Sequence, residues 1–169
     1  GLARIDSLKM RVLIQRVSRA SVTIDEQCKA SINRGFLVFL GVAREDTRED
    51  AIWLARKISS LRVFSDSAGK MNLNLLQAEG SLLLISQFTL YADTRRGNRP
   101  GFSEVAEPGL GERLYEELKS LLVNLGLEVK TGVFGADMQV ELINDGPVTI
   151  LIDSAERKMS RRGELNAHC

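Results

Sequence analysis

GFLVFLGVA, residues 35–43, decides how the rest of the chain can be arranged. Nearly every residue in it is apolar, which is typical of a strand covered on both faces. The spacing of apolar residues then changes, because the next ones share one helical face: Ala51, Leu54, Ala55, Ile58 and Leu61. Asp46 or Thr47 can cap this helix, with Glu49 or Asp50 three residues later as in a capping box. The stretch therefore predicts a buried strand followed by an amphipathic helix.

The segments on either side of this pair predict further strands and a second helix. MRVLIQRV (10–17) and ASVTIDE (20–26) have the composition or the alternation of strands. Later we expect a short strand in LRVFSD, a long buried strand over 81–93, and a helix from about Leu110 that ends at Gly126. LEVKTGVF, MQVEL and VTILID predict three final strands. This order, with no nucleotide-binding glycine motif, favours a mixed α/β fold with helices on one side of a mixed sheet.

The bulk composition is that of a single globular domain. The chain has 169 residues, 44% hydrophobic and 27% charged, with a net charge of +1. Such a balance excludes a nucleic-acid binder that is basic over its whole surface, but it permits a local basic patch. No apolar run is long enough to span a bilayer. We expect the domain to cover residues 10–153, with residues 1–9 as an extension or an expression remnant and 154–169 as a flexible polar tail.

Histidine, cysteine and metal chemistry are poorly supported by the sequence. The single histidine, His168, lies in the polar tail, so a nucleophile paired with a positioned imidazole is not expected. Cys28 and Cys169 form no CxxC pair, and Cys28 is interpreted as a small buried or half-buried residue of a cytosolic protein with reduced thiols. No HExxH or DxD spacing occurs. We therefore expect no metal and no cofactor.

Three polar segments interrupt the pattern of a simple scaffold. SQFTL (86–90) ends the apolar strand, where strand alternation would place Gln87 and Thr89 on one face; alternatively the strand simply emerges into solvent. TRRGNRPGF is a loop whose arginines could bind phosphate beside Phe102, or could be merely solvated: Arg95, Arg96 and Arg99. NDGPVT (144–149) has the residues of a hairpin turn, followed by a proline that cannot donate a ladder hydrogen bond. Arg16, in the first strand, could brace that segment through backbone carbonyls or could face solvent.

Taken together, these motifs closely resemble the D-aminoacyl-tRNA deacylase family. SQFTL, the basic loop, FGADMQV and NDGPVT occur in the order and spacing of that family, as do LIQRVSRASV and FSDSAGKMNLN. The resemblance covers 10–153. It implies a three-layer fold, a barrel-like pair of largely antiparallel sheets with two helices packed on one side. It also implies a cytoplasmic homodimer that removes D-amino acids, and mischarged glycine, from the 3′ end of tRNA.

The resemblance also implies roles for individual residues. Gly146 and Pro147, joined by a cis peptide, would project from one subunit into the partner's site and block L-amino acids, with Arg16 holding their loop. The pocket would be lined by Ser86, Gln87, Phe88, Thr89, Phe134, Ala136 and Met138. The arginines of the basic loop would contact tRNA phosphates. The family resemblance also allows Thr89 to be a nucleophile.

The residues themselves favour a different attack, because no base is visible beside Thr89 and a free hydroxyl is a weak nucleophile. The 2′-hydroxyl of the tRNA ribose lies beside the ester and could assist water instead, while main-chain N–H groups hold the oxyanion. Three other interpretations stay open. They are a non-catalytic RNA-binding module, a dimeric interaction domain with NDGPVT as an interface turn, and, disfavoured by the lack of a usable histidine, a generic esterase.

Overall fold

Eight strands, two α-helices and one short 3-10 helix make up residues 8–158, the part of the chain that the computed structural model describes. The strands are β1 (Arg11–Ile24), β2 (Gln27–Ile32), β3 (Gly35–Gly41), β4 (Phe64–Ser65), β5 (Met71–Leu73), β6 (Ser81–Ser86), β7 (Glu128–Thr131) and β8 (Gln139–Asp153). The helices are α1 (Arg48–Ser60), the 3-10 helix (Phe88–Tyr91) and α2 (Pro108–Asn124).

Strand β1 organises the main sheet. It pairs antiparallel with β8 along one side and with β3 and β2 along the other, so that Ile14 lies between Val38 and Ile150. Strand β3 continues the sheet through parallel pairing with β6, and β6 pairs in parallel with β7. The amine of Lys29 on β2 donates to the carbonyl of Thr131 on β7 at 3.4 Å, so the sheet is nearly closed.

This architecture confirms the predicted mixed, barrel-like α/β fold with largely antiparallel sheets and adds two details. The three strands β3, β6 and β7 run parallel to one another, whereas every pair that β1 makes in the main sheet is antiparallel. The second sheet is small, because it consists only of the antiparallel pair β4 and β5.

The core confirms that GFLVFLGVA is buried on both faces. One face of β3 packs in a cluster with both helices, through Phe36, Val38, Leu40, Leu54, Ile58, Leu114 and Leu118. The other face packs in a second cluster with the remaining strands, through Leu37, Val17, Val22, Leu83 and Ile85. Both helices therefore pack on one side of the sheet, as predicted.

The ends of the helices follow local rules of capping. Thr47 is the N-cap of α1, and its N–H donates to the carboxylate of Asp50 at 2.9 Å, which is half of the expected capping box. Helix α2 begins at Pro108, somewhat before the predicted Leu110, because proline fits the first turn, where its missing N–H is not needed. Gly126, with φ of +94°, ends α2 as predicted, and its N–H donates to the carbonyl of Val123.

None of the helices within residues 8–158 is long and apolar enough to cross a membrane.

Several predicted strand boundaries are wrong. The two strands expected over 10–17 and 20–26 are one strand, because β1 bends through the intervening residues without losing its pairing to β8. LEVKTGVF is a strand only over Glu128–Thr131, and Gly132 leads the chain out of the sheet. Cys28 lies on β2 and is exposed, whereas we expected it to be buried or half-buried.

NDGPVT is a bulge inside one strand, and the prediction of two strands around a loop is wrong. Gln15 pairs with Thr149 and Val17 with Asn144. These two pairs are two residues apart on β1 but five residues apart on β8. Both flanks of the segment pair with the same strand in the same direction, so the chain does not reverse. The four residues 145–148 face Arg16 alone and form an enlarged β-bulge, in which Asp145, Gly146 and Pro147 are exposed and Val148 packs against the core.

The described start of the polar tail packs against α1. Ser154 is buried, and its hydroxyl donates to Asp50 Oδ1 at 2.8 Å. The rest of the predicted tail, with His168 and Cys169, lies outside the described residues, as do residues 1–7.

Candidate active site

Two cavities meet where β6 ends. The first has a volume of about 260 Å³ and is mainly apolar, with walls that include Leu40, Val42, Val105, Ala106, Tyr115 and Phe134. The second has a volume of about 240 Å³ and is more polar, with walls that include Ala136, Asp137, Met138 and Val140. The two cavities share Ser86, Gln87, Phe88 and Gly135. The SQF segment therefore forms the boundary between an apolar and a polar compartment.

The polar residues of SQFTL lie in a turn because β6 has no partner beyond Ser86. Ser86 is the last residue paired with β3, opposite Leu40, and the N–H of Gln87 closes the ladder by donating to the Leu40 carbonyl at 2.7 Å. The chain then enters the 3-10 helix. The predicted strand over 81–93, with its alternation of faces, is wrong past this point.

Thr89 does not have the surroundings of an activated nucleophile. Its side chain is exposed, lines neither cavity, and accepts a hydrogen bond from Nε2 of Gln87. An amide N–H occupies a lone pair of the hydroxyl oxygen and cannot take its proton, whereas a general base must accept that proton. The described residues contain no histidine that could do so.

The 3-10 helix is held to the sheet by two side chains that sequence reasoning missed. The Tyr91 hydroxyl lies 2.6 Å from the Lys9 carbonyl and 2.9 Å from that of Gly41, and the two acceptors share its single proton. Burial raises the pKa of Tyr91 far above its usual range, so this donor stays protonated. Arg11 Nη1 donates to the Leu90 carbonyl at 3.1 Å. The Tyr91 ring packs directly on Gly41, because a Cβ there would lie 2.6 Å from the ring.

The residues after β7 close both cavities. Phe134 lines the apolar cavity, with its ring centroid 5.8 Å from that of Tyr115, while Ala136 and Met138 line the polar cavity. Tyr115 is a further wall residue that sequence reasoning missed, because its spacing on α2 is that of an ordinary core position. Its hydroxyl donates to the Leu84 carbonyl at 3.1 Å, and burial raises its pKa to about 12.

Arg16 contacts the bulge of β8 from the neighbouring strand. Its Nε donates to the Asp145 carbonyl at 3.0 Å and its Nη1 to the Val63 carbonyl at 2.5 Å, while its side chain is only 13% exposed. The Gly146–Pro147 peptide is cis, and a Cβ at Gly146 would lie 3.0 Å from Arg16 Nη2. Gly146 and Pro147 are exposed and line neither cavity of their own chain.

The basic loop is closed at its base by paired main-chain hydrogen bonds of 2.9 Å between Asp93 and Gly101. Arg95 binds both carboxylate oxygens of Asp93, at 2.9 and 2.8 Å, and holds the pKa of that carboxyl well below its usual range. Arg96 and Arg99 are exposed and make no ion pair with any residue between 8 and 158. Two of the three predicted phosphate-binding arginines are therefore unpaired within this range.

Within the same residues, no group of three or more histidine, cysteine, aspartate or glutamate side chains is arranged to hold a metal ion.

Comparison with known families gives one consistent match. A family model described as D-Tyr-tRNA(Tyr) deacylase matches residues 13–153. A relative from Bacteroides fragilis (strain YCH46), named D-aminoacyl-tRNA deacylase, is 54% identical over 150 residues, which are 88% of this chain and 100% of the relative. A relative of the same name from Anaeromyxobacter dehalogenans (strain 2CP-C) is 56% identical over 145 residues, 86% of this chain and 97% of the relative.

Two solved structures are similar to this one. The c-Myc DNA Unwinding Element Binding Protein has a TM-score of 0.80 and 38% identity, with 85% of this chain and 97% of that chain covered. A probable eukaryotic D-amino acid tRNA deacylase has a TM-score of 0.76 at 16% identity, with 85% and 98% covered, so it shares the fold.

Proposed function

The chain belongs to the D-Tyr-tRNA(Tyr) deacylase family, and from this premise we propose that it hydrolyses the ester between a D-amino acid and the 3′ end of tRNA. It is then a hydrolase that acts on carboxylic esters, in the cytoplasm, and corrects mischarged tRNA. One observation carries this proposal: the family match runs unbroken over residues 13–153 and includes every segment that forms the two cavities.

The two cavities suit the two ends of the substrate. A terminal adenine has apolar faces and fits the compartment of Tyr115 and Phe134, because aromatic side chains stack on bases. The aminoacyl group carries a charged amine, which would lose too much hydration in that compartment, so we assign it to the polar cavity. The ester joins these two groups and would then lie at Ser86, Gln87 and Phe88.

Hydrolysis would proceed with help from the substrate. Water forms a bond to the ester carbonyl carbon, the bond to the ribose 3′ oxygen breaks, and that oxygen leaves with a proton. The neighbouring 2′-hydroxyl is placed to relay the proton, and Thr89 has no base that would make it the attacking group. The N–H groups of Phe88 and Thr89, which donate to no main-chain acceptor within residues 8–158, are candidates to hold the oxyanion.

Selection of the D-enantiomer would come from main chain. D- and L-amino acids differ only in where the side chain points once amine and carbonyl are fixed. The exposed Gly146 and Pro147 line neither cavity of their own chain, which supports a role in the site of a second copy. There they would form a wall at the L position, held by Arg16. The active unit would be a homodimer with its sites at the subunit interface.

A steric wall makes a prediction about glycine, which has no side chain to reject. We expect hydrolysis of D-aminoacyl-tRNA and of glycyl-tRNA, and at least about a hundredfold slower hydrolysis of L-alanyl-tRNA, a difference of about 3 kcal/mol in transition-state stabilisation. Release of labelled amino acid from the three tRNAs measures this. Binding without release would favour the RNA-binding module, and similar rates for glycine and L-alanine would refute the wall.

Binding of the tRNA body would be electrostatic, through the loop that carries Arg95, Arg96 and Arg99. Because cations that neutralise phosphates release counterions, the apparent affinity should fall as salt rises.

A further inference from the structure

An aromatic pair stands at the rim of the two cavities. The rings of Phe88 and Phe102 meet edge to face, with centroids 4.9 Å apart and planes at 67°. Phe88 is 55% exposed although it lines both cavities, and Phe102 is half-buried. An exposed phenylalanine at the mouth of a site presents a ring to whatever leaves that site.

Phe102 is mounted on a fixed segment. The Val105 N–H donates to the Phe102 carbonyl at 3.3 Å, and the Ala106 N–H donates to the carbonyl of Val42, next to β3, at 2.9 Å. Val105 and Ala106 are themselves walls of the apolar cavity. Phe102 is therefore held at a fixed position relative to the apolar cavity and does not lie at the tip of a loop.

Positive charge lies close to this pair along the chain. Phe102 follows the basic loop, and the three residues from Arg99 to Phe102 can span at most about 11 Å. Arg96 and Arg99 have no ion-pair partner within residues 8–158, whereas Arg95 is neutralised by Asp93. An aromatic surface flanked by free arginines matches the chemistry of a single-stranded nucleotide, whose base stacks and whose phosphate accepts from guanidinium.

We infer that Phe88 and Phe102 form a stacking site for the nucleotide that precedes the terminal adenosine, with Arg96 and Arg99 at its phosphate. The inference rests on the proposed function, because the terminal adenosine must first occupy the apolar cavity. In this arrangement the tRNA chain would leave the apolar cavity past Phe88, and the preceding base would be the next group to reach the rim. We expect this site to accept any of the four bases, because every base has an aromatic face that can stack on a phenylalanine ring.

The test compares two small substrates that differ by one nucleotide, D-aminoacyl-adenosine and D-aminoacyl-cytidylyl-adenosine. For the unaltered protein we expect the added nucleotide to raise kcat/KM by roughly 5- to 150-fold, the range that stacking of one base provides. Phe102→Ala should remove most of this gain while leaving hydrolysis of D-aminoacyl-adenosine unchanged. Phe102→Trp should keep the gain, and Arg96→Gln with Arg99→Gln should reduce it and weaken its dependence on salt.

The design separates the possible failures. Unchanged hydrolysis of the adenosine substrate shows that Phe102→Ala is folded. The matched control is Val123→Ala, because Val123 is an exposed apolar residue that lies about 22 Å along α2 from the start of that helix. No gain from the added nucleotide, or an equal loss on both substrates, overturns the stacking site. Weaker subunit association in Phe102→Ala, with the gain intact, would assign the pair to a protein contact instead. No hydrolysis of either substrate by the unaltered protein would refute the proposed function itself.

Discussion

The hydroxyl of Thr89 accepts a hydrogen bond from Gln87 in the proposed mechanism and is not the attacking group. Among the described residues no acceptor withdraws its proton. We therefore expect Thr89→Ala to lower kcat for D-aminoacyl-tRNA by no more than about tenfold, or about 1.4 kcal/mol, with little change in KM. Single-turnover hydrolysis of D-aminoacyl-tRNA measures this, and a substrate that lacks the 2′-hydroxyl should lose far more.

A loss of several orders of magnitude with binding retained would make Thr89 the nucleophile and would contradict substrate assistance. Thr89→Ser offers the matched control. Serine keeps the hydroxyl and lacks only the methyl group, so Thr89→Ser should stay active whichever role the hydroxyl has. A loss in Thr89→Ser as large as in Thr89→Ala would trace the effect to the missing methyl group and not to the hydroxyl.

Single residues also show how far the sequence could predict the site. The pattern singled out the segment from Ser86 to Phe88, because polar residues end an apolar strand there, and the family resemblance implied that it lines the pocket; the three residues line both cavities. Tyr115 and Tyr91 were not singled out, because a tyrosine at an apolar position of a helix or strand has the same spacing whether or not its ring borders a cavity. The pairing of Arg95 with Asp93 depends on rotamers that no spacing rule contains.

The junction of β3 and α1 buries an acidic group that should make stability depend on pH. Asp46 is 4% exposed; its Oδ2 accepts from the Ala43 N–H at 2.6 Å, and its Oδ1 has no partner within residues 8–158. Burial raises the pKa of Asp46 from 3.8 to about 7, with Asp50 nearby adding to the rise and Lys9 opposing it. The folded state then holds a proton that the unfolded state releases between these values, so stability is lost as pH rises.

We expect Asp46→Asn to remove this slope. The free energy of unfolding of the variant, relative to the unaltered protein, should increase from pH 4 to pH 8 by up to about 4 kcal/mol, the limit set by the difference between the two pKa values. Urea unfolding at several pH values measures it. Glu45→Gln, an exposed neighbour, should shift stability by no more than about 0.5 kcal/mol at any pH. A parallel pH profile for both variants would contradict the assignment.

The elements that sequence reasoning placed correctly are those whose pattern is local. Helix α1 and strand β3 follow from periodicity, capping and burial on two faces. The end of β6 and the bulge of β8 do not, because each depends on a partner strand. Strand β6 stops where β3 stops, and β8 continues through Asn144–Thr149 because β1 pairs with both of its halves. Because paired strands are distant in sequence, the local pattern of residues could not predict where β6 ends or that β8 is continuous.

At the scale of the whole molecule, the proposed homodimer would place the free edge of β8 at the contact between subunits. Within the described residues β8 pairs only with β1, so its other edge carries unpaired main-chain groups. Ile143 and Leu151, on either side of the bulge, are 46% and 55% exposed. Gly146 and Pro147 are exposed and lie between them along β8, from where they would reach the partner's site in the proposed homodimer.

Mixed dimers can decide whether this wall acts across the interface. One chain carries Pro147→Gly, which removes the ring from the wall, and the other carries Ser86→Trp, which places an indole ring where the two cavities meet. We expect homodimers of Pro147→Gly to hydrolyse L-alanyl-tRNA at least about tenfold faster than the unaltered protein, and homodimers of Ser86→Trp to be inactive. The mixed dimer is purified through two different tags. Its only open cavity belongs to the Pro147→Gly chain, and the Ser86→Trp partner supplies an intact wall to that cavity. The mixed dimer should therefore hydrolyse D-aminoacyl-tRNA and again reject L-alanyl-tRNA. If hydrolysis of L-alanyl-tRNA persists in the mixed dimer, the wall acts within its own chain and the shared active site is refuted.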